Sequence, residues 1–570
     1  MKTDIASGAR RREAAGGARA RGLRRAFDRH EGSERDDDDQ HRGDLTSVAR
    51  GGALNIAGTI ANAVFGFALG VVITRGLGSG GAGVFFEAIA LFTILTTVGQ
   101  LGADVGVVRW IPRYLAHGRR RDVHSCLRAA IWPVVFASGI LGALVFVLAP
   151  EISHLIVRGQ NPDAATPYLR VLGPCLPLAT ASKVLLSAMR GLGTMVPFVA
   201  IEYFFKSALR PLLAIVVLAA GLGTVAVAFA WAFPVAAGFV AAAAWMAVLL
   251  RRERAAVSGR SKGRFGAGEE PSRPVGSARA VAVEFWRFTG FRALAAAFGV
   301  AILWLDVLLV GMLASSREAG VYAAASRLVT AGLFALTAAF LVMGPQISAL
   351  LARGERERAQ AVYQTSTCWL AAISFPIYIT LALFAPLLLR VFGDDFTSGQ
   401  SALVILSLAM LVNMGTGTVG VVLLMAGKSS WNLLNTAAAL ALNVSLNFVL
   451  IPRFGIVGAA TAWAASIAVQ NLAPLAQVWR AFGLHPFSRG YLFVALAAAL
   501  CFGGIGLLVR SVIGTSISSF VAFGLLATLA YWAALWRLRD EVGLQTVREA
   551  LRLRMGRPRT PAPGLGVQRL

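Results

Sequence analysis

Apolar stretches of about 20 residues follow one another from residue 53 to residue 536, and nothing else in the chain constrains its fold as tightly. A stretch of that length crosses the hydrocarbon core of a bilayer as a helix. Because no water there satisfies peptide groups, a spanning segment must be a helix or part of a closed barrel. Fourteen helical spans are expected, at 53–75, 83–105, 127–149, 167–189, 196–219, 223–250, 288–313, 319–346, 366–390, 401–426, 430–451, 456–479, 490–510 and 515–536. Only 15 % of the residues are charged, against about 25 % in soluble domains. The fold class is therefore an all-α polytopic membrane protein.

Charge sets the orientation. A cytoplasmic N-terminus puts 42 of the 54 lysines and arginines in inside loops and tails and six in outside loops. Retention of basic residues on the cytoplasmic side predicts this asymmetry, so both termini are expected there. The same rule accounts for the net charge of +25 without nucleic acid. Residues 1–50 lack an apolar core segment and read as a disordered cytoplasmic tail rather than a signal peptide.

An internal repeat sets the plan. Ala82-Gly83-Val84-Phe85, after the glycine-rich turn TRGLGSGG, returns 237 positions later as Ala319-Gly320-Val321-Tyr322. Six spans per repeat is an even number, so the halves enter from the same side and are parallel rather than inverted. The expected division is an N-lobe at 51–250, a flexible cytoplasmic linker at 251–287 and a C-lobe at 288–480. Two extra spans at 481–537 and a basic cytoplasmic tail at 538–570 follow. Basic loops are expected near 106–126, 251–287 and 347–365.

Local motifs carry little chemistry. Gly78 to Gly83 fits GxGxxG, but that pattern binds dinucleotides only between a strand and a helix, and here it is a tight turn. The four cysteines and six histidines show no metal spacing, and no catalytic constellation stands out. No enzyme activity and no cofactor are expected.

The informative residues are charges inside the spans, each of which costs about 2.5–3.5 kcal/mol on insertion scales and so faces protein or a watery cavity. Glu202, Lys206 and Arg210 recur every four residues on one helix face. Asp306 and Arg327 lie at similar depth on successive spans, which predicts an ion pair between them; Glu202 is likewise placed to neutralise Lys206. Lys183, Arg210 and Arg292 are left without an evident acid. Unpaired membrane cations point to a hydrated cavity that accepts an anion. Pro174, Pro177 and Pro211 interrupt the neighbouring helices, a recurring feature of transport sites.

The runs VITRGLGSGGAGVF and GADVGVVRWIPRY resemble the start of polysaccharide flippases of the multidrug/oligosaccharidyl-lipid/polysaccharide exporter superfamily. DVLLVGMLASSREAGVYAAASRL is similar to the corresponding second-half region, and the likeness covers about residues 50–480. It implies two six-helix lobes around a central cavity that opens alternately to either side, with two further C-terminal helices. It also implies transfer of an undecaprenyl-diphosphate-linked oligosaccharide to the outer leaflet of a bacterial plasma membrane. Lys183, Lys206, Arg210 and Arg292 would hold the diphosphate and sugar, and Arg109 would guard the cytoplasmic entrance. The implied partners are the anionic lipid-linked glycan, membrane lipids and a glycan polymerase or glycosyltransferases. A multidrug or cation antiporter, a lipid II flippase and a non-transporting scaffold are the alternatives. The antiporter branch would place a carboxylate in span one, and residues 53–75 contain none.

Overall fold

The computed structural model describes residues 52, 54–159, 161–262, 278–330 and 333–539. The expected tails at 1–50 and 540–570 lie outside the described residues, as does the middle of the expected linker. Every regular element among the described residues is helical. In chain order the first helices are α1 (54–99), α2 (Ala103–Ala116), α3 (Arg120–Val147), α4 (Ala149–Ile156), α5 (Thr166–Leu172) and α6 (Leu176–Gly191). A short α7 (Val196–Phe198) runs through a π-turn at Val199–Phe205 into α8 (Lys206–Ala219), followed by α9 (Thr224–Lys262) and α10 (Ala278–Leu313). Then come α11 (Ser316–Thr330), α12 (Leu333–Ala352), α13 (Arg356–Leu383), α14 (Ala385–Leu389), α15 (Gln400–Gly415) and α16 (Val419–Met425). The last are α17 (Ser429–Phe482), α18 (Arg489–Ala498), α19 (Ile505–Ile513) and α20 (Ile517–Arg537).

Among the described residues ten helical stretches are long and apolar enough to cross a membrane, and the two longest are compound. A straight 54-residue helix would be about 80 Å long, far beyond a bilayer core. Gly455, at φ 55° and ψ −134°, breaks α17 into a hairpin. Its arms are tied by Asn435 and Gln477, which exchange amide hydrogen bonds of 2.8 and 3.0 Å. Gly78, at φ 67°, breaks α1 in the same way. Residues at nearly matching distances on either side of it, such as Asn62 and Thr93 or Gly66 and Ile89, line one cavity. The described parts of the expected spans fall largely on helical segments, several of them interrupted. Outward-facing Trp132, Phe136, Val512 and Ile517, each at least 70 % exposed, give the helices an apolar outer surface suited to lipid.

The expected basic loops are mostly helix. α2 occupies much of 106–126 because Ala103, Gly106, Val107, Trp110, Ile111 and Tyr114 recur at helical spacing and are buried. Their stripe lies beneath the arginines that had read as loop. α9 continues to Lys262 and α10 begins at Ala278, shortening the expected linker from both ends. Only Arg353, Gly354 and Glu355 separate α12 from α13.

The two copies of the repeat meet. Gly83 and Gly320 sit where the helices cross so closely that a Cβ on Gly83 would collide with the carbonyl of Ser316. A Cβ on Gly320 would likewise collide with that of Ser79. Ser79 and Ser316 are themselves 237 positions apart, so the crossing is reciprocal about an axis between the lobes. Small residues let membrane helices approach this closely. At the same end Arg75 Nε donates to the Val391 carbonyl at 2.8 Å, and Arg158 Nη1 to that of Leu313 at 3.1 Å. Ser79 Oγ reaches Asp395 at 3.2 Å and Ser316 Oγ reaches Glu87 at 3.1 Å. This end of the inter-lobe seam is closed.

Candidate functional site

Below that closure lies a cavity of about 330 Å³ to which both lobes contribute. Asn62, Gly66 and Gly70 of α1 form one wall, and their small side chains leave the space open. From α8, Arg210 lays its guanidinium 4.1 Å over the Trp231 ring of α9. From α11, Arg327 lies 4.4 Å over Trp304 of α10 and 5.6 Å from the Phe86 ring. Each lobe therefore presents one arginine stacked on one tryptophan. Stacking on a ring face is worth about 0.5–2 kcal/mol and orients the guanidinium while leaving its N–H fork free. Neither arginine makes an ion pair among the described residues, and Arg210 Nε has no hydrogen-bond partner. Glu202 is within electrostatic reach of Arg210 without pairing with it, and no carboxylate is among the described residues that line the cavity.

The other expected site residues take different places. Lys206, 3 % exposed, donates to Glu202 Oε2 at 2.7 Å and approaches Ser182 Oγ at 3.4 Å. The neutralisation of Lys206 by Glu202 is thus found, and Lys206 is not among the residues that line the cavity, where the resemblance had put it. The π-turn at Val199–Phe205 contains Glu202, four residues before Lys206. Lys183 of α6 lies within the electrostatic reach of Glu202 and makes no ion pair among the described residues. Arg109 of α2 is exposed and stacks 3.9 Å over Phe288 of α10, on the inter-lobe seam and away from the cavity lining. Arg292 is on α10, and its side chain lies outside the described residues.

The expected Asp306–Arg327 pair does not form. Buried Asp306 accepts from Tyr322 Oη at 3.0 Å and from Asn447 Nδ2 at 2.8 Å, inside the C-lobe. Arg327 points instead into the cavity between the lobes. Rotation about the helix axes puts the two groups on different sides. Sequence reasoning also passed over Trp231 and Trp304; tryptophan within a span beside an arginine-bearing helix is the signal that would have found them. Glu87 is a further buried carboxylate: Oε2 accepts from Ser316 of the other lobe, and Oε1 has no partner among the described residues.

Breaking the Lys206–Glu202 pair alone is expected to be costly. Lys206→Met leaves Glu202 without its ion-pair partner, a loss of up to about 3–5 kcal/mol for a buried pair, moderated by the nearby Lys183 and Arg210. The double variant Glu202→Gln/Lys206→Met should recover most of it. Thermal unfolding of the purified protein reads both; equal melting of the single variant and the unaltered protein would remove the structural role.

Residues 48–351 match the model of a family described as polysaccharide biosynthesis protein. Over 170 residues the chain is 27 % identical to the probable low-salt glycan biosynthesis flippase of Haloferax volcanii, a match covering 30 % of this chain. The chain spans 36 % of the length of that relative. Among solved structures, the lipid II flippase MurJ in an inward closed conformation superposes with a TM-score of 0.63 at 11 % identity, covering 85 % of this chain and 98 % of that one. An inward-facing multidrug resistance MATE family transporter of the MOP superfamily gives 0.58 at 16 % identity, over 77 % and 94 %. A MOP superfamily transporter from Pyrococcus furiosus gives 0.52 at 15 % identity, over 80 % and 96 %. These likenesses establish the fold: two lobes of membrane-spanning helices around a central cavity.

Proposed function

Since the chain belongs to the polysaccharide biosynthesis protein family, we propose that it is a flippase for an anionic lipid-linked glycan. The observation that carries this reading is the pair of tryptophan-stacked arginines, one from each lobe, facing a shared cavity without a carboxylate. A prenyl diphosphate supplies the matching charge, with undecaprenyl diphosphate the expected carrier in a bacterial plasma membrane. Charged headgroups cost several kcal/mol each to bring out of water, and paired guanidinium donors offset that cost.

Mechanism follows from the placement of the pair. With the Gly83–Gly320 end shut, the diphosphate bridges Arg210 and Arg327 while its prenyl chain stays in lipid. Rocking of the lobes opens the shut end and changes the separation of the two arginines. The bridge is then lost, and the headgroup leaves towards the newly opened side. On the expected topology this carries glycan from the cytoplasmic to the outer leaflet, with both chain termini cytoplasmic. Arg109, Lys183 and Arg292 remain candidates for guiding the headgroup inward. A glycan polymerase or glycosyltransferase would act before or after this step.

Reconstitution tests the proposal. Liposomes containing the protein and a fluorescent prenyl-diphosphate-linked saccharide should expose the label to an external quencher faster than protein-free liposomes. Equal rates would reject the flippase reading. The antiporter alternative draws on Glu87 and Asp306, carboxylates buried without a basic partner. Protein-dependent resistance to cationic drugs, with no lipid transfer, would favour it.

A further inference from the structure

A groove of about 680 Å³ runs between α2 and the start of α10, and it is lined by charges that the transport cavity does not use. Arg279, Val283 and Arg287 recur every four residues along one face of α10, with Trp110 of α2 opposite them. Two arginines of α2 flank that indole. Arg109 lies 5.8 Å from the Trp110 ring and 3.9 Å from that of Phe288, and Arg113 lies 5.2 Å from Trp110. All four arginines are exposed, and none makes an ion pair among the described residues. The acid that lines the groove, Glu284, accepts from Tyr114 Oη at 3.3 Å instead.

The two helices are packed firmly beneath these arginines. Val281 and Phe285 of α10 are buried in the same core as Val107, Trp110, Ile111 and Tyr114 of α2. A Cβ on Gly102 would collide with the backbone of Thr289 and Ala293, and one on Gly106 with the Phe285 ring. Along both helices this crossing lies between the groove and the cavity of Arg210 and Arg327, and the two spaces share no lining residue. The groove therefore opens sideways and not inward.

We propose that this groove binds an anionic phospholipid of the surrounding leaflet, at a site separate from the transport cavity. Basic pockets between spanning helices on the cytoplasmic side hold acidic lipid headgroups, and the planar fork of arginine matches a phosphate. The rest of the α10 face fits the rest of the lipid. Val283, 61 % exposed, lies between the two arginines, and Leu294, 51 % exposed, is three turns beyond it on the same face, where an acyl chain would run. On the expected topology the start of α10 follows the cytoplasmic linker, so the arginines stand at headgroup level of the inner leaflet. A headgroup that touches arginines of both helices holds α2 and α10 together.

Lipid titration of the full-length protein in detergent tests the site, with bound lipid counted by native mass spectrometry. The probes are phosphatidylglycerol and phosphatidylcholine with the same acyl chains. Phosphatidylglycerol is expected to bind at least about tenfold tighter. Arg279→Gln/Arg287→Gln and, separately, Arg113→Gln should each remove most of that preference. Arg353→Gln/Arg356→Gln, at the exposed turn between α12 and α13, should leave it unchanged. The readout is a preference between two lipids on one preparation, and the two groove variants lie on different helices, so a local defect in either does not decide the outcome. Equal affinity for both lipids, or the same loss from the α12–α13 variant, overturns the site. Displacement of phosphatidylglycerol by farnesyl diphosphate, with both weakened alike by the groove variants, would make the occupant the transported diphosphate and overturn the phospholipid assignment.

Discussion

Replacing Arg210 and Arg327 together with alanine is expected to abolish lipid transfer while leaving the protein in the membrane. Removing one partner of a desolvated charge pair costs about 2 kcal/mol or more, roughly thirtyfold in affinity. Each single variant should therefore be severely impaired. Because one arginine belongs to each lobe, the remaining one can hold the diphosphate but cannot bridge the lobes through it. Arg210→Lys offers a finer test. Lysine keeps the charge but loses the planar fork and the ring stacking at Trp231, so intermediate transfer is expected. Transfer rates in liposomes, normalised to inserted protein, provide the measurement. A double alanine variant that transfers at the normal rate would end the cationic-clamp explanation.

The second large effect is expected at the inter-lobe crossing. Gly83→Leu places a side chain where the Ser316 carbonyl sits, and Gly320→Leu does the same to Ser79. Backbone cannot yield as a flexible side chain can, so the lobes must part at this end. A bias of about 1.4 kcal/mol towards the parted state already changes the ratio of states tenfold. In a cysteine-free background carrying Ser79→Cys, labelling by a membrane-impermeant maleimide should accelerate by about that factor or more in either variant. The reciprocal geometry predicts similar effects from the two substitutions. If neither alters labelling, this crossing is not the barrier that closes the molecule.

Much of the architecture was legible in the chain because a membrane punishes error at every position. Apolar runs have to be long enough to cross, and basic residues cluster at their ends. The 237-residue repeat even located the two glycines that later proved to touch. The candidate site was less legible. Arg210 was found because an unpaired cation inside a span is expensive wherever it points. Arg327 was recognised as a membrane cation and assigned the wrong partner. Spacing places it along its helix, but the short turn at 314–315 and the rotation of α10 and α11 decide which way each group faces. α2 was hidden for a similar reason: its buried stripe, Val107, Trp110, Ile111 and Tyr114, is interleaved with arginines that dominate a hydropathy reading.

By itself, then, the sequence determined an all-helical, multi-span membrane protein with an internal repeat and cations within its spans. Those features follow from one-dimensional quantities: length, hydropathy, spacing and charge. The Lys206–Glu202 pair was legible from its four-residue spacing, whereas tertiary structure alone decided that Arg327 leaves Asp306 and, with Arg210, faces the cavity. Lys206 meets Glu202 across one helix turn and is silenced, whereas Arg210 and Arg327 stack on tryptophans from neighbouring helices and keep their donors free. The physical reason is that neutralisation depends on contacts within about 4 Å, and those are set by helix rotation and packing rather than by position along the chain.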